Sequence, residues 1–120
     1  MQEYEVTMDE YVKLYNETLN LYKIAKKEFN NIISNSFDKV KFEEIKSQLN
    51  DVHFKLIMCH YRITTQNATL SKKDINNLAK YYNLHTFINN LSRDYNNYQD
   101  LLDNASSKLL IENEEEMTIN

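Results

Sequence analysis

Three histidines, one cysteine and two arginines are the residues of this chain best suited to chemistry, and their spacing limits what they can do. His53 and His60 are seven apart, so on a helix they share one side. They would stand about 10 Å apart along the axis, too far to hold one metal ion together. No Glu-x-x-His pair and no pair of histidines four apart is present, the spacings that helical metal sites use. His85 comes from a later segment that pairs with the same end of the molecule. The expectation is that no metal or cofactor is bound and that each histidine flanks the core with a polar partner. Cys59 and His60 are sequence neighbours, which on a helix point about 100° apart and do not face each other. Cys59 also lies within an apolar stripe, where a thiol packs as a small hydrophobe.

Arg62 and Arg93 are the only arginines, and neither is followed closely by a histidine, the pattern that helical nucleases of the toxin type carry. The chain contains no Gly. A phosphate-binding loop, a dinucleotide fingerprint and a nucleophile elbow all need Gly for close backbone approach, so none of them can be built here. No catalytic residue is named on these grounds, and the chain is read as a non-enzyme. With 14 basic against 18 acidic residues and a net charge of −4, the composition argues against nucleic acid as a partner.

What remains is a question of surfaces, and surfaces depend on the elements that carry them. A chain with neither Gly nor Pro has few sharp turns, which favours long helices over sheets. The apolar spacing predicts an all-α, three-helix, up-down-up antiparallel bundle with long helices and coiled-coil-like packing. Helix 1 is predicted over about Met8–Ile33. Thr7 and Glu10 form its capping box, and its stripe runs through Met8, Tyr11, Tyr15, Thr18, Tyr22, Ala25, Phe29 and Ile32. Helix 2 is predicted over Phe37–Thr64, with the stripe Phe42, Ile45, Leu49, Val52, Leu56, Cys59 and Ile63. Helix 3 is predicted from a Ser71–Asp74 cap to about Ala105.

Helix 3 holds a repeat. Ile88-Asn-Asn-Leu91 recurs at Tyr95 and Leu102 in steps of seven, but the earlier copy at Ile75 lies 13 residues before Ile88. One residue short of two heptads turns a stripe by about 100°, so helix 3 is expected to be kinked or broken near 81–87, or to change its buried face there. The asparagines Asn76, Asn83, Asn90, Asn97 and Asn104 read as a solvated face. Residues 1–105 are taken as one helical-bundle domain. Residues 106–120 are taken as a short acidic C-terminal tail, frayed or docked through Leu109-Leu110-Ile111.

One anomaly points to function. Helix 2 carries a second apolar stripe, Phe54, Ile57, Met58 and Tyr61, on a different face from its core stripe. The facing part of helix 3 is thick with Tyr81, Tyr82, Leu84 and Phe87. Two helical neighbours do not cover a helix that is apolar nearly all round. Phe54, Ile57, Met58, Tyr61, Tyr81 and Phe87 are therefore the candidate partner-binding residues, at the apolar end near the helix 2–3 link. The expected function is a small non-enzymatic helical protein-binding module. Its size, its lack of motifs and its richness in Asn, Lys, Ile and Tyr, the residues an AT-rich genome favours, suggest an accessory or inhibitor protein of a phage, virus or mobile element that docks on a host or partner protein. A structural homo-oligomer, such as a homodimer through the same end, is the alternative, and a helical enzyme or toxin ranks last. The acidic N-terminus has no apolar run of the signal-peptide kind, and no stretch is long enough to span a bilayer, so a cytoplasmic protein without a membrane partner is expected.

Overall fold

A computed structural model describes the backbone of residues 7–66 and 70–117 and the side chains of 7–66 and 70–105. The described residues form three helices and no strand: α1 (Met8–Asn30), α2 (Lys39–Gln66) and α3 (Lys72–Met117). The all-α expectation and the helix count hold. The chain divides into two compact units, Met1–Phe87 and Ile88–Asn120, so the first unit comprises α1, α2 and about the first third of α3.

Each helix starts where a side-chain oxygen accepts an orphan backbone N–H. The Glu10 N–H donates to Thr7 Oγ1 at 3.2 Å, and the Asp74 N–H donates to Ser71 Oγ at 3.1 Å. Both were expected from the sequence. The cap of α2 was not: the Lys41 N–H donates to Asp38 Oδ1 at 3.1 Å, so α2 begins after Asp38 rather than at Phe37.

Helix α1 ends by tightening. Asn31, Ile32 and Ile33 donate to the carbonyls three residues back, and the Ser36 N–H then reaches the Asn31 carbonyl at 3.0 Å while Asn35 N–H reaches Ile32. This pair of bonds is a Schellman closure, which places one residue in the left-handed region. That residue is Asn35, at φ 61°. In a chain without Gly, Asn is the residue that tolerates this conformation best.

The core of the first unit follows the stripes. Tyr11, Thr18 and Ala25 of α1 are buried, as are Phe42, Leu49, Leu56, Cys59 and Ile63 of α2. Ring contacts fix how α1 and α2 run. Tyr11, near the start of α1, meets His60 toward the end of α2 at 6.0 Å, and Phe29, near the end of α1, meets Phe42 near the start of α2 at 5.8 Å. Those pairings are the ones antiparallel neighbours make.

Helix α3 is continuous through residues 81–87, so the expected break does not occur. The change appears instead as a turn of the buried face. Leu78, Tyr81, Leu84, Ile88, Leu91 and Tyr95 are buried, whereas Ile75 is exposed. Steps of three and three followed by four carry the stripe about 80° round the helix between Leu78 and Ile88. The 13-residue offset is thus absorbed because Ile75 never belonged to the stripe. The backbone of 106–117 continues α3 as helix. The docking expected of Leu109, Leu110 and Ile111 concerns side chains outside the described residues. No helix among the described residues is long and apolar enough to cross a membrane.

Candidate functional site

The structure sorts the residues singled out in the sequence into an interior cluster and an outward face, both within the first unit. The interior cluster is built of imidazole and phenol rings. His53 Nε2 and His85 Nδ1 lie 3.1 Å apart, linking α2 to α3. The Tyr81 hydroxyl approaches the same Nδ1 at 3.5 Å. Both neighbours are satisfied together if Nδ1 of His85 accepts, which puts the His85 proton on Nε2. His60 stacks on Tyr81 with ring centres 4.2 Å apart and meets Tyr82 edge-on at 5.5 Å.

Burial dominates the electrostatics here. It holds the imidazole of His53 below its ordinary value, and the neighbouring His85 adds to the effect. Burial also lowers His60, opposed by a hydrogen bond to the Leu78 carbonyl. Burial raises the phenols of Tyr11 and Tyr81. Each histidine has a polar partner, as expected: His53 and His85 have each other, and His60 has the Leu78 carbonyl. His60 Nε2 is buried without a hydrogen-bond partner, and so is the Tyr11 hydroxyl. The helix positions that place these rings in the core were legible. The shortage of partners was not, because it depends on which way each ring turns.

Cys59 and His60 diverge as their spacing requires. His60 faces α3, whereas Cys59 lines a groove between α1 and α2 together with Glu10, Leu14, Phe54, Met58 and Arg62. The groove has a volume of about 410 Å³. Burial first, then the Glu10 carboxylate, pushes the Cys59 thiol up to about 11, which makes it a poor nucleophile at neutral pH. No group of three or more His, Cys, Asp or Glu side chains placed to hold a metal ion occurs among the described residues.

The outward face belongs to α2. Phe54 is 63% exposed, Met58 40% and Tyr61 62%, with Ile57 half-buried beside them. Phe54 and Tyr61 stand about 140–160° round the helix from Leu56, which is wholly buried, so they point away from the core. Two of the six candidate residues lie elsewhere. Tyr81 is buried against His60 and His85 and does not contribute to an exposed patch. Phe87 is half exposed but stacks on Tyr22 of α1 at 6.1 Å. The stripe on α2 was visible from its spacing of three, four and seven. The separation of Tyr81 from it was not, because sequence alone does not show which side of α3 meets α2.

Comparison of the chain with protein-family models, with curated proteins and with solved structures finds no match.

Proposed function

We propose that the chain is a small non-enzymatic helical module that binds another protein through the outward face of α2. The observation that carries this reading is the exposure of Phe54, Met58 and Tyr61 side by side on one helix, with a buried stripe opposite. Together they present about 350 Å² of side chain, the size of the largest apolar patch on a typical monomer, and such patches are commonly interfaces. Aromatic residues and Met are the types enriched at interface centres, where rigid rings fill a partner's pockets at low entropic cost. The net charge of −4 and the scarcity of Arg favour a protein over nucleic acid as that partner. A free, buried thiol fits a reducing compartment such as the cytoplasm. Small size, lack of motifs and richness in Asn, Lys, Ile and Tyr support an accessory or inhibitor role for a phage, virus or mobile element.

The test is photo-cross-linking in the cell with p-benzoylphenylalanine replacing Tyr61 and, as a control, Asn76, an exposed residue of α3. A discrete adduct is expected from position 61 and not from position 76. Absence of any adduct from 61, with the chain expressed and folded, overturns the reading.

A further inference from the structure

Imidazoles join α2 to the part of α3 that belongs to the first unit. His53 Nε2 meets His85 Nδ1 at 3.1 Å, and His60 lies on Tyr81 with ring centres 4.2 Å apart. His60 also bonds to the Leu78 carbonyl. Its Nε2 has no partner, so that bond comes from Nδ1. All three links fall between Leu78 and His85 on α3. The opposite end of the α1–α2 pair is built differently, with Phe29, Phe37 and Phe42 packed ring against ring.

Each link depends on neutral rings. Between His53 and His85, one nitrogen must donate and the other accept. With both rings cationic, every ring nitrogen carries N–H, and two like charges stand where the nitrogens are 3.1 Å apart. A cationic His60 places an Nε2–H where the neutral ring has a buried nitrogen with no hydrogen-bond partner, and an unmet buried donor is costly. The group facing His53 is His85 of α3. Those facing His60 are Tyr11 of α1 and Tyr81 and Tyr82 of α3. None is a carboxylate that would hold a cation in place. Burial accordingly keeps both imidazoles below their ordinary value.

We infer that acid releases residues 72–87 of α3 from the α1–α2 pair, exposing the buried Leu78, Tyr81 and Leu84, while the phenylalanine end of that pair stays closed. The release is local because the three imidazoles lie where α2 meets this part of α3. In the released form His53 and His60 titrate near 6.5, whereas in the closed form they are held lower. Closure is therefore complete above about pH 6.5 and is lost as the pH falls. At pH 5.5 each ring that stays neutral while closed favours release about tenfold more than at pH 7.5.

Amide hydrogen exchange of the full chain tests this, read as protection factors so that the intrinsic pH dependence of exchange cancels. From pH 7.5 to 5.5, protection over 72–87 is expected to fall by about tenfold or more, and that over 18–25 and 42–49 by less than about threefold. His53→Gln keeps an amide able to donate to His85, and His60→Phe keeps a ring in the stack. Each should shrink the fall by up to about tenfold, and the two together should remove it. Protection lost equally along all three helices overturns the inference. So does protection over 72–87 that holds at pH 5.5, or a fall of undiminished size in both single variants.

Discussion

The imidazoles of His53 and His60 are the residues whose chemistry the fold alters most visibly. Both are buried and both are held below the ordinary value of 6.5. An unfolded chain would take up protons near pH 6.5, where the folded one does not. Stability should therefore be fully present above about pH 6.5 and be lost as the pH falls through the lowered folded values. The neighbours that face these rings are His85 for His53, and Tyr11, Tyr81 and Tyr82 for His60. None is a carboxylate that would reverse the sign. The urea midpoint should be flat from pH 8 to 7 and decline between pH 6.5 and 5. His53→Gln should start lower at pH 7 and decline less across that window. A midpoint that does not change from pH 7 to 5 would show that these rings protonate freely in the fold. At this scale the sequence placed the three histidines beside the core, but the 3.1 Å contact between His53 and His85 came from tertiary packing that no spacing encodes.

At the scale of elements, the stripes and two of the three caps were legible because period and cap chemistry are local properties. Thr7 and Ser71 each precede an acidic residue three positions on, and the structure uses the backbone N–H of that residue in both cases. The start of α2 was misplaced by two residues. Phe37 is apolar and looked like the first helical position, whereas its ring packs on Phe29 and Phe42 from outside the helix. The reversal between α1 and α2 depends on Asn35 at φ 61°. A β-branched side chain there meets the steric penalty of the left-handed region, about 1–2 kcal/mol. Asn35→Val should lower stability by that amount, while Asn35→Gly should be neutral or slightly stabilising. Chemical denaturation of the two variants side by side checks it. Equal losses in both would mean that the Ser34–Ser36 hydroxyl contact, at 2.8 Å, holds the turn rather than the backbone conformation.

For the molecule as a whole, α2 divides the work of folding from the work of recognition between two faces of one helix. Leu56 is wholly buried, and Phe54 and Tyr61, two residues before it and five after, are mostly exposed. Their hydrophobicity is similar, so composition does not separate them; only the angle round the helix does. Sequence reasoning found both stripes and took the longer run from Phe42 to Ile63 as the core one, because its steps of three and four continue without a miss. The cleaner run of Phe42, Leu49, Leu56 and Ile63 won because it continues along the full length of α1's own stripe, whereas the second stripe spans two turns. The consequence is a difference of sign in function and of size in stability. Leu56→Ala removes buried methyl groups and leaves a cavity, which should cost about 2–5 kcal/mol. Phe54→Ser with Tyr61→Ser removes comparable apolar area from solvent and should change the stability of the dilute chain by about 0.5 kcal/mol or less at each site. The double serine variant should also bind less of a fluorescent apolar dye than the parent. Leu56→Ala should retain the dye binding of the parent wherever it remains folded. A double serine variant that unfolds with the severity of Leu56→Ala would mean that the outward face is part of the core, and would remove the basis for a docking surface on α2.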